Sequence, residues 1–541
     1  MPIQYDETRL WKGLYISLIL GYCLAYAPYG TNETDGGFLT GLAWQLLNGK
    51  TLYLDVVYVR PPLPVWLRAL ELQWLPDNWA LLGERWIFYF KMGLAAWLAA
   101  AALAEKNATK LLAIPGFLVS VHCYTPMAWH TVDGIMFGSL ACWLLFRVNK
   151  PWGAFLSGIS VLAAVLCKQS FYPLLPVWGV AAILHCSRKN LVWGFSGLVF
   201  AAAAFALALL QTGAWDGFLH MTGASASAGQ ALQHGLVDYV RINPWYAAWT
   251  VVLLPWPLWW WWKGEPERLR KPAFWAWAAW LLALLVLYVR SIALRQDFTP
   301  PFAASRLLFD FSLLYGLGQW RSRRWGRGAL LPFFSLLALS WCASVSWGYN
   351  LPVLMSIPMV WAVIDLSSRL WTTNFPGLEA KWARLGAVIV LLAVFRYGYE
   401  FVYRDGRRDD MQADMGQIFP AMQGIRSDTA SALLYADLNR LAARYGPVFK
   451  TLPSFSQASY LTRTRPPLPL DWVVGREVNR DYSLIISQME QNHPVFFVEK
   501  SYGRPRILAD PELAFTREVL TGGLLLEESP FFWVIQYPAT Q

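Results

Sequence analysis

A short stretch near the N-terminus holds ionisable side chains that could do chemistry, between two strongly apolar segments. Two acids come first, Glu33 and Asp35, and Asp55, Tyr58 and Arg60 follow just ahead of a Pro-Pro step. A carboxylate beside a hydroxyl can take its proton, and a guanidinium supplies fixed positive charge for a developing anion. Asp35 is therefore a candidate general base and Arg60 a candidate anion-binding group. Asp55 and Tyr58 suit structural or substrate-contacting positions better than catalysis.

Further candidates stand at the edges of later apolar segments. Asp133 lies in "HTVDGIMF" and Lys168 in "LCKQSF", while Arg295 and Arg306 lie in or beside "RQDFTPPFAASR". Ionisable groups at membrane depth are costly unless something pairs with them, which makes each a candidate. Simpler interpretations stay open: the acids can cap helices or lie solvated in loops, and Lys168 can extend to lipid headgroups.

Composition predicts the elements that must position these residues. The chain has 541 residues, is 56% hydrophobic, contains 32 Trp and has a mean hydropathy of +0.33, which is typical of an integral membrane protein. A window of about 19 residues predicts about thirteen spans. They are Leu14 to Tyr29, Trp86 to Ala104, Leu111 to Tyr124, Gly134 to Phe146, Trp152 to Leu166, Tyr172 to His185, Leu191 to Leu210, Ala247 to Trp262, Ala273 to Tyr288, Leu307 to Trp320, Ala329 to Trp347, Leu351 to Leu366 and Leu385 to Phe395.

Basic residues collect in alternate loops, which predicts a cytoplasmic N-terminus and an outer C-terminus. The net charge of +10 then needs no nucleic-acid partner to explain it. We expect a transmembrane domain over residues 1–399 and a C-terminal domain over 400–541. The runs "PVFFVEK", "FFWVIQY" and "ASALLYADLNRLAARYG" indicate that the second domain is a small mixed α/β unit.

The opening stretch becomes the first outer loop in this topology. Phe38, Leu42 and Leu46 share a helical face that ends near Gly49, and an apolar stripe from Leu63 to Trp74 follows the Pro-Pro step. Both patterns predict short helices lying at the membrane interface.

The loop resembles that of a known enzyme family. An acid followed by "LLNGKTLYLDVVYVRPPLPVW" is similar to the first outer loop of the C-type (GT-C) glycosyltransferases, especially the protein O-mannosyltransferase and lipid A aminoarabinose transferase superfamily. "HTVDGIMFGSLACWLL" resembles the second outer loop, "LAAVLCKQSFYPLLP" the Lys-bearing loop, and "PSFSQASYLTRTRPPLPLDW" a segment of the outer domain. With about thirteen spans and an outer C-terminal domain, the resemblance extends over nearly the whole chain.

The resemblance implies an inverting transfer of a sugar from a polyprenyl-phosphate donor to an acceptor hydroxyl. Asp35 would be the base, Asp133 would orient the acceptor or share that role, and Lys168 and Arg60 would bind the donor phosphate. Glu33, Asp55, Tyr58, Arg295 and Arg306 are weaker substrate-binding candidates.

The sequence also departs from the family pattern. Gly36 stands where members often have a second acid, which leaves Glu33 as a stand-in. Val59 stands where the aminoarabinose branch has an acidic metal ligand. We therefore predict no metal site and no cofactor, although a divalent metal stays open. His130, His220 and His234 have no metal-ligand spacing and are more typical of ordinary polar loop residues.

These features predict an enzyme of a bacterial inner membrane whose C-terminal domain lies in the periplasm. Its partners would be the donor lipid, membrane lipids and a glycan, lipid or protein acceptor. One alternative is a secondary transporter or a lipid-linked glycan flippase, although the chain lacks the two related halves common in transporters. A second is an oligosaccharide ligase or polymerase, which differs in the length of the transferred unit.

Overall fold

A computed structural model describes most of the chain and is largely helical with small sheets. The described residues are 7–104, 106–121, 126–223, 233–237, 239, 244–293, 302–323, 325–347, 352–375, 407–479 and 481–538. The first sixteen helices are α1 Glu7–Ala25, α2 Asp35–Leu47, α3 Leu63–Trp74, α4 Ala80–Leu103, α5 Lys106–Val121, α6 His130–Arg147, α7 Pro151–Val165, α8 Leu174–His185, α9 Arg188–Gln211, α10 Trp215–Gly223, α11 Pro244–Leu253, α12 Pro255–Trp262, α13 Glu267–Ala293, α14 Phe302–Arg321, α15 Arg327–Trp347 and α16 Ile357–Asn374.

The predicted spans fall on helices wherever the structure describes them. Ala247 to Trp262 is divided into α11 and α12, because Pro255 begins a new helix. Leu385 to Phe395 lies outside the described residues, as does Arg295. Among the described residues, three helices are long and apolar enough to cross a bilayer: Asp77–Leu103, Arg188–Gln211 and Arg327–Ser346. The number thirteen stays a prediction.

The first-loop helices form where the sequence places them, but α2 is not a surface helix. The Asn32 side-chain oxygen accepts hydrogen bonds from the Thr34 and Asp35 backbone N–H groups, at 3.1 and 3.0 Å, and so caps the start of α2. Thr40 and Gln45, which lie off the face of Phe38, Leu42 and Leu46, are fully buried. The C-terminal residues cover that side of α2, and the position of the helix at a membrane interface stays a prediction.

Two glycines allow this close packing. A Cβ added at Gly37 would lie 2.7 Å from the Cβ of Gln457, and one at Gly41 would collide with the carbonyl oxygen of Ser456. Helix α3 shows the opposite arrangement from a soluble surface helix: Arg68 is buried, whereas Trp74 is 80% exposed. An apolar exposed face is what an interfacial helix would present to lipid.

The C-terminal residues 407–538 form the expected mixed α/β unit. Its main sheet has the order β3-β4-β6-β5, with β3 Phe449–Leu452 parallel to β4 Val495–Glu499 and the other pairs antiparallel. Strand β4 is buried on both faces, since helices cover the sheet from both sides. The remaining elements are β1 Ala413–Asp414, β2 Arg426–Ser427, β5 Leu524–Glu528, β6 Phe532–Gln536, α17 Thr429–Tyr445, α18 Ala458–Leu461, α19 Ser483–Asn492, α20 Arg504–Ala509 and α21 Ala514–Gly522.

Helix α17 has clear start and stop signals. The Asp428 carboxylate accepts a hydrogen bond from the Ser431 backbone N–H at 2.8 Å, and Gly446 follows the last turn with a φ of +84°. The long "ASALLYADLNRLAARYG" pattern was therefore a reliable guide to this element.

The C-terminal unit docks on the first-loop helices through buried polar contacts. Asp471 accepts from Gln45 of α2 at 3.1 Å and pairs with Lys450 of β3 at 2.5 Å. The Trp44 indole N–H donates to the Thr464 carbonyl oxygen at 2.8 Å. These contacts join the segment that follows β3 to α2, the helix that begins at Asp35.

Candidate functional site

Loops that are far apart in sequence meet at one end of the helical bundle. The Gln169 amide, just after α7, donates to the Val59 carbonyl oxygen in the first loop at 2.6 Å. The hydroxyls of Thr131, at the start of α6, and Ser346, at the end of α15, share a hydrogen bond of 2.6 Å. Lys168 donates to the carbonyl oxygen of the same Ser346. The loops that carry the predicted site residues therefore share one end.

Arg60 is held by a carboxylate that the sequence did not point to. Its two terminal nitrogens donate to the two oxygens of Glu477, at 2.5 and 2.6 Å, in the bidentate geometry that guanidinium also uses for phosphate. Burial disfavours both charges, but the pairing outweighs it: the pKa of Arg60 is raised and the pKa of Glu477 is lowered. The pair is ionised and nearly buried.

Lys168 lies beside this pair without a carboxylate of its own. Burial, together with the positive charge of Arg60, lowers the pKa of Lys168 to about 7, and Arg476 acts in the same direction. The charges of Glu477 and Asp35 oppose this shift but do not cancel it. The site therefore holds more positive charge than its own carboxylates neutralise.

Asp35 and Glu33 lie at the start of α2 and are both partly exposed. Asp35 is close enough to Arg60 and Lys168 to act on both electrostatically. The Glu33 carbonyl oxygen accepts a hydrogen bond from the Ser456 backbone N–H at 3.3 Å, which ties this turn to the C-terminal unit. The structure thus brings three predicted site residues, Asp35, Arg60 and Lys168, into one neighbourhood.

Asp133 belongs to a different group of charges. It is 2% exposed and pairs at 2.7 Å with Lys91 of α4, which also pairs with Glu71 of α3 at 2.9 Å. Arg68 pairs with Glu71 at 3.3 Å and with Glu84. We name these five residues the α3–α4–α6 charge network. A buried carboxylate held by an ammonium is not placed to take a proton from a substrate, so the base role that Asp133 was expected to share is not supported.

The weaker candidates have separate places. Asp55 is exposed and closes a turn by accepting from the Thr51 backbone N–H at 2.8 Å, so its role is structural. Tyr58 is buried, and its hydroxyl shares a hydrogen bond of 2.7 Å with Nε2 of His130. Arg306 is buried in α14, with its Nε 4.0 Å from Asp310.

Sequence reasoning missed the contribution of the C-terminal unit to the site. The guanidinium of Arg476 lies over the Trp472 ring at 5.4 Å, and the edge of that ring meets Phe38 at 5.3 Å. The guanidinium of Arg60 lies over the Phe38 ring, 5.2 Å from its centroid. The string "DWVVGRE" holds Trp472, Arg476 and Glu477 within six residues, but nothing in its spacing pairs it with a loop some 400 residues earlier.

A small cavity opens beside the start of α2. It has a volume of about 30 Å³ and is lined by polar residues of the first loop and α4 and by residues of the C-terminal unit, among them Asn32, Gly36, Glu84, Arg85 and Gln457. A space of this size holds roughly one or two waters rather than a sugar. Substrate would have to bind elsewhere in the site or widen this opening.

The described residues contain no cluster of three or more His, Cys, Asp or Glu side chains arranged to hold a metal ion. The predicted lack of a cofactor stays a prediction. No protein-family model matches the chain, and a search of the curated proteins gives no match either.

Proposed function

We propose that the protein is an inverting GT-C glycosyltransferase that crosses a bacterial inner membrane about thirteen times and works at its outer face. The donor would be a sugar on polyprenyl phosphate, and the acceptor a hydroxyl of an envelope glycan, lipid or protein. The C-terminal unit would then lie in the periplasm and cover the site.

The observation that carries this proposal is the excess of positive charge around Lys168. A partly buried ammonium whose pKa falls to about 7 beside Arg60 is unfavourable until an anion arrives. A phosphate monoester or diester supplies that negative charge; Lys168 would contact it, while Arg60, whose fork is occupied by Glu477, adds positive charge nearby. Asp35 is a partly exposed carboxylate within electrostatic range of both Arg60 and Lys168.

The chemistry follows from these placements. Asp35 takes the proton of the acceptor hydroxyl while the oxygen of that hydroxyl attacks the anomeric carbon of the donor sugar. The bond between that carbon and the phosphate oxygen breaks, and the polyprenyl phosphate leaves with the electron pair. Lys168 and Arg60 stabilise the charge of the leaving phosphate, so no proton from a general acid is required. Attack opposite the phosphate inverts the anomeric centre.

Cells carrying the native protein, a deletion or Asp35→Asn test the proposal by mass spectrometry of envelope lipids and glycans. We expect the deletion and Asp35→Asn to lose the same glycan modification and to accumulate one polyprenyl-phosphate sugar. In a purified assay with that lipid, Asp35→Asn should lower the rate by roughly 10²- to 10⁴-fold.

Asp55→Asn is the matched control, because Asp55 lies in the same loop but only closes a turn. It should retain the native rate. If Asp35→Asn keeps the modification while the deletion loses it, Asp35 is not the base. If neither strain changes any glycan, the transferase proposal fails.

A secondary transporter is the second candidate, and the α3–α4–α6 charge network is the observation that favours it. Buried ionisable groups in membrane helices often mark ion pathways. In this chain, however, each charged residue of the network has an oppositely charged partner on a neighbouring helix or turn, as an anchor requires. Substrate-dependent proton movement in proteoliposomes, abolished by Asp133→Asn, would favour the transporter.

A further inference from the structure

A cluster of aromatic rings surrounds Phe38, one turn after Asp35. The ring centroid of Phe38 lies 5.9 Å from those of Trp129 and His130 and 5.3 Å from that of Trp472. We name these four residues the Phe38 cluster. Arg60 lies over the Phe38 ring, so the cluster borders the cationic part of the site directly.

Three buried ring nitrogens in this cluster have no hydrogen-bond partner among the residues that the structure describes. They are Nε1 of Trp129, Nδ1 of His130 and Nε1 of Trp472. Nε2 of His130, by contrast, is paired with the Tyr58 hydroxyl. A buried polar group without a partner is costly, and three around one phenyl ring call for a specific explanation.

The chemistry of the cluster fits a sugar ring. Aromatic faces contact the C–H face of a sugar, and indole and imidazole nitrogens hydrogen-bond to its hydroxyl and ring oxygens. An aliphatic lipid tail would leave all three nitrogens unpaired. An anion would instead go to Arg60 and Lys168, which carry the nearby positive charge.

We propose that the Phe38 cluster binds the sugar of the donor, between the carboxylate of Asp35 and the cations that hold the phosphate. This inference rests on the proposed function and adds sugar-contacting residues to it. It also gives the C-terminal unit a role in recognition, because Trp472 belongs to that unit.

The test compares lipids with and without a sugar. Purified protein in nanodiscs is titrated with bare polyprenyl phosphate, polyprenyl-phosphate mannose and polyprenyl-phosphate glucose, and binding is measured by native mass spectrometry. We expect at least one sugar-bearing lipid to bind more tightly than the bare lipid. Trp472→Phe and Trp129→Phe, which keep a ring but lose the N–H, should each reduce that preference roughly 5- to 10-fold while leaving bare-lipid binding unchanged.

Trp44→Phe is the matched control, because the Trp44 N–H already donates to the Thr464 carbonyl oxygen outside the cluster. It should leave the preference for sugar unchanged. It should also lower the melting temperature more than Trp472→Phe does, since only the Trp44 indole loses a hydrogen bond on substitution.

The outcomes separate the two proposals. If the native protein binds neither the bare nor the sugar-bearing lipids, the proposed function fails and the sugar site fails with it. If the native protein binds all three lipids equally, or if Trp472→Phe and Trp129→Phe keep the native preference, only the sugar site is overturned. Equal weakening of all lipids by both variants would show a structural role instead.

Discussion

Two groups of charges lie in neighbouring parts of this protein and are built on opposite principles, the first largely buried and the second mostly at partly exposed positions. In the α3–α4–α6 charge network, two cations face three carboxylates, and every member has an oppositely charged partner within contact distance. Around Lys168, three cations face two carboxylates, and the ammonium itself contacts a carbonyl oxygen. Each charge of the first group is paired with an opposite charge within the chain, whereas Lys168 contacts a carbonyl oxygen and is the position where an anion from outside would bind in our proposal.

The comparison separates anchoring from binding. Charges that are buried together with their partners fix helices relative to one another but leave nothing to offer a ligand. Charges of one sign that are brought together are unfavourable in the free protein, and a ligand of the opposite sign relieves that cost. The network therefore positions α3 against α4 and α6, and the Lys168 group binds the phosphate in our proposal.

The largest effect should come from breaking the network at its centre. Lys91→Met removes the ion-pair partner of the buried Asp133 and one of the two partners of Glu71, which keeps Arg68. We expect the free energy of unfolding to fall by about 3–5 kcal/mol. Reversible unfolding in mixed micelles with sodium dodecyl sulfate, followed by tryptophan fluorescence, measures this loss.

Lys91→Arg provides the control, because it keeps a positive charge between the two helices. It should retain most of the stability that Lys91→Met loses. Native stability in Lys91→Met would mean that the network is not an anchor, and the contrast between the two charge groups would disappear.

The same substitution at Lys168 should act on binding instead of folding. Lys168→Met removes a charge that burial and Arg60 already disfavour, so the variant should be at least as stable as the native protein at pH 7. Affinity for bare polyprenyl phosphate should fall by roughly 10- to 100-fold, the size of one charge-assisted contact. Lipid titration in nanodiscs measures this change.

The pH dependence of stability gives a second measurement on Lys168. Its folded pKa of about 7 lies below the ordinary lysine value, so between these values the unfolded chain binds a proton that the folded protein does not. Stability of the native protein therefore rises as pH increases through this window. Because Lys168→Met lacks this titrating group, its stability should increase less with pH over the same window. A variant with the native pH profile and native lipid affinity would show that Lys168 is an ordinary surface lysine.

The sequence predicts the two groups unequally well. Helix existence, the α2 and α3 patterns and the strands of the C-terminal unit follow from local periodicity, which the structure confirms. Asp35, Arg60 and Lys168 stand out because each is ionisable beside an apolar segment. Their common position depends on which loops share one end of the bundle, and alternating helices make that predictable.

The partners of these residues could not be found in the same way. Glu477 pairs with Arg60 across 417 positions of the sequence. Lys91 is a charged residue within an apolar helix, and its position there does not indicate a partner. Long-range pairing of this kind depends on how the C-terminal unit docks, which no local pattern encodes. For the same reason, no local pattern predicts that the side of α2 with Thr40 and Gln45 faces the C-terminal unit.

Glu499 extends the comparison to a buried acid that has no ion-pair contact among the described residues. One of its carboxyl oxygens accepts from the backbone N–H groups of Ser454 and Phe455, at 2.8 and 2.9 Å. Burial and the nearby charge of Glu33 outweigh these bonds and raise the pKa of Glu499 to about 8. Glu477, with Arg60 as partner, has a lowered pKa under similar burial. A neighbouring cation therefore offsets the effect of burial on the pKa of Glu477, whereas two backbone N–H groups do not offset it for Glu499.

The smallest expected effect follows from this difference. Between the ordinary glutamate pKa and about 8, folded Glu499 holds a proton that the unfolded chain has lost, so its contribution to stability falls as pH rises through this window. Glu499→Gln keeps the accepting oxygen and cannot ionise, so its stability relative to the native protein should increase from pH 5 to pH 8. Glu477→Gln is the matched control: the lowered pKa of Glu477 makes its contribution constant over that range and lost only in more acidic solution. If the stability of the two variants had the same pH dependence, a cation and backbone N–H groups would stabilise a buried carboxylate equally well. The distinction between charges with and without an oppositely charged partner would then lose its physical basis.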